Sequence, residues 1–506
     1  MAYSAIGVAL GLVFGAIPGL NQGVLMALTL PLTITMDNLL AQYLLVGMYV
    51  GGVSGGLTSG ILLGIPGTPA SVMSTFDGHA MAKRGQAARA LALGITASLM
   101  GGLISWLLLA TISVPIARVA VRFGQFEMAA MIVGGLLLIA AASQADTLKG
   151  LLAGLLGIVV ALVGLDPVTS DKRFTFSFEA LDRGLDLFPV LMGVFAIGGL
   201  LAETMPDRPV VEQVRTKIVD VLRAVGAIGR HKWNVVRSGL IGSWIGILPG
   251  AGANIGAIIA YVATQNIDSD PASFGSGREE GVVAAETGNN ATVGGSLVPM
   301  IALGIPGAPA DVFLMAALIF HNINLGPLLI RESPGVFFGI IATYLVANVL
   351  MFLILIVACV PLARIVNIPR HYLVPVILVC STIGTYSINS QLFDVWVMFA
   401  FGAIGFAMIV AGIPTAPFVI GLVLAPLLET SLRSALMESD GSFLPFLTRP
   451  AAMSILIGSI VFALWPWASR HWRMRSQRLG SSTAAMRSEP DAPDVSETSK
   501  VPRTRR

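Results

Sequence analysis

The sequence predicts an all-α polytopic membrane protein with about 10–12 transmembrane segments, built as two inverted-topology repeats that contain helical hairpins and broken helices. Three observations carry this reading. The chain of 506 residues is 55% hydrophobic and 12% charged, with a mean hydropathy of +0.82. An ordinary soluble domain is roughly 25% charged. Second, Gly-Ile-Pro-Gly-Thr-Pro-Ala at Gly64–Ala70 returns as Gly-Ile-Pro-Gly-Ala-Pro-Ala at Gly304–Ala310. Third, the basic residues gather in four clusters separated by apolar runs.

The runs Ala90–Ile112, Met128–Ser143, Leu148–Leu165, Val336–Val360 and Ala451–Trp467 approach the ~20 apolar residues that cross a bilayer. They show few polar positions at the period of 3.6 that marks a soluble amphipathic helix. Both motif copies sit inside such apolar sequence. Proline lacks the N–H and clashes with the preceding turn, while glycine admits angles that other residues avoid, so neither copy continues a regular helix. In hydrocarbon a break survives only where it is buried in protein or lines a cavity. A matched pair of broken helices, one per half, points to a transporter's binding site.

The basic clusters are His79, Lys83, Arg84 and Arg89; Arg208, Arg215, Lys217, Arg223, Arg230, Lys232 and Arg237; Arg364, Arg370 and His371; and Arg470, Arg473, Arg475 and Arg478. The positive-inside rule places all four in the cytoplasm, with the C-terminus. Apolar runs between the first two clusters give an even number of crossings, and Pro414–Leu428 supplies the extra crossing needed between the last two. Asn322–Gly335, after the second motif copy, carries only Arg331 and Glu332, so it is expected outside. The two halves then insert with opposite orientation. Residues 1–203 read as the first membrane repeat, 204–234 as a cytoplasmic linker, 235–468 as the second repeat, and 469–506 as a basic, disordered cytoplasmic tail. A second pair of breaks supports the duplication: Ala16-Ile-Pro-Gly19 and Ile247-Leu-Pro-Gly250 each precede their motif copy, with Gly55-Gly56 and Gly294-Gly295 between.

Several function classes lack support. No Gly-Lys dipeptide occurs, so no P-loop does, and the five histidines are too scattered for a zinc helix. No catalytic constellation, metal site or cofactor site emerges, and a net charge of +3 marks no nucleic-acid partner. Cys359 and Cys380 read as small buried hydrophobes. No cleavable signal peptide is expected, because the first apolar segment runs into Pro18-Gly19 and further apolar sequence.

Binding chemistry has candidates. Glu286, Asn289, Asn290 and Thr292 interrupt an apolar, glycine-rich segment before the second motif, and Asp311 directly follows it. Amide oxygens, freed carbonyls and a carboxylate are the ligands that a Na⁺ or H⁺ coupling ion requires, and an ionisable group at membrane depth marks a functional site by default. The competing readings are interhelical hydrogen bonding for the asparagines and helix capping for Asp311. Substrate-binding candidates are Asn21, Pro66, Gly67, Thr68 and Ser71 in the first half, with Gly250, Asn254 and Gly307 in the second. Helix starts there offer N–H donors and positive dipole ends to a carboxylate. Capping alone is the plainer role for Thr68 and Ser71. Asp77, close to the first basic cluster, reads as structural.

At these residues the chain resembles the large permease subunit of the tripartite tricarboxylate transporters (TctA-type). The resemblance runs from Gly11 to about Trp467 and rests on several motifs in order. These are Pro18-Gly19-Leu20, Gly55-Gly56 with Ile65–Ser71, Asp77-Gly78, Met81–Gly85, Gly164–Thr169 with Arg173–Phe176, Gly193–Ile197, Leu248–Gly250, Glu286, Asn289-Asn290 and Leu303–Gly307. It implies a cation-driven importer in the bacterial inner membrane. It also implies a small four-span membrane subunit and a periplasmic solute-binding protein that delivers a tricarboxylate or dicarboxylate. Asn21-Gln22, Gly64 and Asp311 depart from the family's pattern within the supposed site, which leaves the particular carboxylate open. A stand-alone carboxylate carrier and, in a different class, an intramembrane enzyme or lipid-handling protein are the alternatives.

Overall fold

A computed structural model describes residues 1–17, 20–141, 147–166, 169–203, 217–248, 252–365 and 370–461. The tips Pro18-Gly19 and Pro249-Gly250, and the tail from residue 462, lie outside the described residues. The described chain is almost wholly helical. Its one sheet is a two-residue antiparallel pair, Gly164–Leu165 with Lys172–Arg173.

The first half opens with α1 (Ala2–Ala16) and α2 (Gln22–Ile34), then α3 (Asn38–Leu63), α4 (Val72–Met81) and α5 (Ala87–Ala120). It continues through α6 (Gln125–Ala141), α7 (Thr147–Ala161) and α8 (Leu187–Ala202). The second half continues with α9 (Lys232–Ile247), α10 (Gly252–Ile267), α11 (Glu279–Leu303), α12 (Pro309–Phe320) and α13 (Pro334–Ile365). Helices α14 (Arg370–Asn389), α15 (Leu392–Val410), α16 (Thr415–Glu438) and α17 (Pro450–Val461) complete it. Among the described residues, five helical stretches are long and apolar enough to cross a membrane: Asn38–Leu63, Val72–Ala120, Pro334–Leu362, Leu392–Val410 and Thr415–Glu438. Nine further apolar helices are shorter. The Pro414–Leu428 segment read from sequence is thus part of a full-length span.

Two central helices organise the molecule. The most apolar part of α3 is entirely buried within the protein, and almost every residue of α11 from Gly281 to Ala302 is buried. Helix α1 packs on α3 and α9 on α11, each within its own half. The long helices cross over instead: α5 packs on α11 and α13 on α3. Small residues permit the closest of these approaches. A Cβ added to Gly7, Gly11 or Gly15 of α1 would lie 2.2–2.5 Å from a carbonyl oxygen of α3, and Gly47, Gly51 and Gly55 face α1 equally closely. Backbones can meet this way only at glycine, the small-xxx-small packing of membrane helices.

Both central helices stop alike. Gly64 and Gly304 take left-handed φ values of 69° and 74°, and the N–H of Ile65 and Ile305 reaches back six residues to Ser59 and Pro299. This is a glycine C-cap of the αL type, in which the N–H groups of Gly64 and Gly304 bond to the carbonyls of Gly60 and Met300. The first basic cluster is not an irregular loop. Helix α4 runs through a wide turn at Ala82–Gln86 directly into α5, and Gly85, at φ 80°, bends the path. Cysteine expectations divide: Cys359 is buried, but Cys380 is exposed on α14, so its thiol packs in no core.

Candidate functional site

Each break is closed by a side chain three residues after its second glycine's neighbour. The Ser71 hydroxyl accepts from the Thr68 N–H at 3.2 Å and donates to the Thr68 carbonyl at 2.8 Å. At the matching place in the second copy, the Asp311 carboxylate accepts from the N–H groups of Gly307 and Ala308 at 2.9 and 2.7 Å, and from Ser296 at 3.2 Å. These caps satisfy helix-start donors that have no carbonyl to reach. Gly67 and Gly307 press each break onto its central helix: a Cβ on Gly67 would meet Gly56 Cα of α3 at 2.7 Å and the Gly15 carbonyl of α1 at 2.2 Å, and one on Gly307 would meet Ser296 at 2.8 Å. Pro66 lies in the same break, beside Gly67.

The two breaks share one cavity of about 340 Å³. Its wall includes Asn21 and Gln22 from the first hairpin, Thr68 and Ala70 from the first break, and Pro309 and Ala310 from the second. Val53 and Asn289 of the central helices line it, with Phe195 and Gly199 of α8, Ile409 of α15 and Pro414–Ala416 at the head of α16. Four helices therefore begin at the cavity: α2, the 3₁₀ turn Pro69–Ser71 that leads into α4, α12 and α16. The dipole ends of α2, α4 and α16 favour negative charge there, whereas the start of α12 already holds the Asp311 carboxylate. Among the described residues, no Lys, Arg, Asp or Glu lines it.

Three polar atoms in this wall lack hydrogen-bond partners: Gln22 Oε1, Thr68 Oγ1 and Asn289 Oδ1. Asn289 is 1% exposed and Thr68 6%. A buried polar atom without a partner costs about 1–3 kcal/mol, so orphans gathered on one cavity mark a place built to receive a ligand. Asn289 holds its orientation by donating from Nδ2 to the Val53 carbonyl at 3.4 Å.

The other residues singled out from sequence are engaged within the protein. Asn21 caps α2, accepting from Val24 N–H at 3.1 Å, while also lining the cavity. Asn290 accepts from Ser54 at 2.6 Å and donates to the Glu286 carbonyl at 3.1 Å. Thr292 donates to the Asn289 carbonyl at 2.6 Å, along its own helix. Glu286 is fully buried and accepts from the hydroxyls of Ser74 on α4 and of Ser98 on α5, the latter at 3.0 Å. Asp77 is structural: it accepts from Tyr261 and from the N–H groups of Gly275, Gly277 and Arg278, pinning α4 to the loop before α11. Gly250 and the side chain of Asn254 lie outside what the structure describes.

Sequence reasoning missed the contributions of α8, α15 and α16. Their lining residues are small or apolar, and only the Pro414-Thr415 helix start could have announced them. Among the described residues no three His, Cys, Asp or Glu side chains gather to hold a metal ion.

A helical membrane protein with a central cavity at paired helix breaks belongs to the transporter class. Residues 1–420 match the Tripartite tricarboxylate transporter TctA family, and the chain belongs to that family. It is 35% identical over 408 residues to an "Uncharacterized 52.8 kDa protein in TAR-I ttuC' 3'region" of Agrobacterium vitis, covering 80% of this chain and 81% of that one. A second Agrobacterium vitis protein, described as "Uncharacterized protein in TAR-II ttuC' 3'region", is 36% identical over 228 residues, or 44% of this chain and 94% of the relative. No solved structure matches.

Proposed function

We propose that this chain is the permease of a tripartite, cation-coupled importer of small organic carboxylates in the bacterial inner membrane, with its C-terminus in the cytoplasm. A periplasmic binding protein delivers the substrate, and a small four-span subunit completes the membrane complex. The observation that carries the reading is the cavity shared by both breaks. The helix starts of α2, α4 and α16, two buried orphan oxygens and a described lining without acidic side chains suit an anion. Its volume falls within the ~300–1,000 Å³ of small-molecule sites. The backbone N–H groups of α2 and α16 bind the carboxylates; Asn289, Thr68 and Gln22 engage the hydroxyl or carbonyl groups between them. Opposite insertion of the two repeats places one break on each approach to the cavity, the arrangement that alternating access requires.

The test is uptake of labelled citrate into proteoliposomes that hold the chain with its co-encoded subunits, under imposed Na⁺ or H⁺ gradients. Gradient-driven uptake that Asn289→Ala lowers at least tenfold is expected. Uptake indifferent to Asn289 would overturn the site, and full uptake without the periplasmic subunit would establish a stand-alone carrier.

A further inference from the structure

Glu286 is a fully buried carboxylate whose partners among the described residues are hydroxyl groups alone. It lies three residues before Asn289 on α11, about 4.5 Å along the helix axis from the cavity wall. Its carboxylate meets only the hydroxyls of Ser74 and Ser98, and all three side chains are fully buried.

The charged and titratable groups on the elements packed around it are already engaged. On α4, Asp77 is held by Tyr261 of α10 and three backbone N–H groups, and His79 binds the Ile61 carbonyl at 3.0 Å. On α5, Arg89 pairs with Glu279 at 2.5 Å, and His231 joins the same carboxylate at 3.1 Å. Glu280 lies near His231 and Arg278 at 3.8 and 3.4 Å. On α9, Arg237 donates to Asn234 and Thr264. Tyr49 of α3 bonds Ser296, Tyr344 of α13 bonds Ser105, and Asp311 caps α12. Lys83, Arg84 and Lys232 are exposed. Among the described residues, no counter-charge remains for Glu286.

An ionised carboxylate so placed carries a prohibitive desolvation cost. A proton removes that cost at a single acceptor, whereas two hydroxyls and a carboxylate offer few oxygens with which to strip a hydrated Na⁺. Asp311 differs in its partners, since two backbone N–H groups and the Ser296 hydroxyl all reach its carboxylate.

We propose that Glu286 carries the coupling proton. This rests on the carboxylate-importer reading and names the ion and its seat. Glu286 takes the proton from hydronium when the α4–α5–α11 junction opens toward one side, one O–H bond forming on the carboxylate as one breaks in the hydronium, which leaves as water. It is neutral in the occluded arrangement, and that O–H bond breaks to water when the junction opens toward the other side. Asn289, one turn away on the same helix, senses the charge that appears.

Infrared spectra of the full-length protein in nanodiscs at neutral pH test the proton directly. The carbonyl stretch of a protonated carboxylic acid should be present in wild type and in Asp311→Asn, and absent in Glu286→Gln. Ser98→Ala, which keeps the carboxyl group, should shift that band. A band that Glu286→Gln leaves in place and Ser98→Ala leaves unmoved would overturn the proposal. In proteoliposomes with citrate as the probe, Glu286→Gln should retain citrate–citrate exchange yet lose accumulation driven by a pH gradient. Accumulation with wild-type dependence on that gradient, or driven equally by Na⁺ alone, would also overturn it. A wild type that moves no citrate counts against the carboxylate reading alone, and the infrared band then decides Glu286 by itself.

Discussion

The two breaks share a backbone and differ in what closes it. Both end a buried central helix at a left-handed glycine and begin a new helix at a proline. The first is capped by a hydroxyl, Ser71, and leaves Thr68 Oγ1 facing the cavity unpartnered. The second is capped by a carboxylate, Asp311, and shows the cavity only Pro309 and Ala310. The two motif copies therefore share geometry and differ in chemistry. The first leaves a polar oxygen unpartnered at the cavity, and the second uses its polar group internally, with Asn289 of the adjoining helix presenting an unpartnered oxygen in its place.

The largest expected effect tests the shared geometry. Gly67→Ala places a methyl group 2.2 Å from a backbone oxygen that cannot turn away, and should cost about 3 kcal/mol. Gly307→Ala meets Ser296 at 2.8 Å and should cost about half as much. Thermal unfolding in detergent, followed by fluorescence-detected gel filtration, would measure both. Equal melting temperatures would show that the breaks are not held as described. The caps come next. Asp311→Ala strips two N–H donors and a hydroxyl of their acceptor and should destabilise by about 2 kcal/mol. Ser71→Ala should cost about 1 kcal/mol. The same melting assay ranks them, and a Ser71 effect exceeding that of Asp311 would reverse the comparison.

Neighbouring asparagines give a subtler separation. Asn289→Ala should weaken binding tenfold or more, equivalent to about 1.4 kcal/mol, with little loss of stability. Asn290→Ala should do the opposite, because its amide holds Ser54 of the facing helix. Citrate-induced stabilisation in the melting assay separates the two, and identical profiles would reject the division of labour. The smallest effect belongs to Thr68→Val. Its hydroxyl bonds nothing in the protein, so stability should change by only a few tenths of a kcal/mol while binding falls several-fold. Destabilisation by a full unit would mean that the hydroxyl has a structural partner.

Much of this was legible in the sequence because it rests on local rules. Proline and glycine break a helix wherever they stand, so both breaks could be found without coordinates. Asn289 stood out because an amide in an apolar run needs a reason. Which asparagine of the pair faces the cavity was not legible: one residue is about 100° of helix rotation, and only the packing of α11 decides it. Asp311 was visible as a buried acid, but its cap depends on three donors converging in space. Ser74 and Ser98 gave no hint of Glu286, since isolated serines are common in membrane helices and their common target appears only after folding. The walls from α8, α15 and α16 were silent for the same reason. Cys380 shows the limit of composition, as an apolar neighbourhood in a membrane protein does not distinguish core from lipid face.

The crossing of the long helices bears on how the chain is made. Helix α3 is finished about 270 residues before its partner α13 begins, a wait of roughly 15–50 s at ~5–20 residues per second. Throughout that interval a helix built for complete burial, rich in glycine and hydroxyls, sits in a half-made protein. Its glycine face is already covered by α1, which is made before it. That preceding helix thus serves as an early escort of the central one. A chain severed between its halves should fail in assembly before it fails in transport.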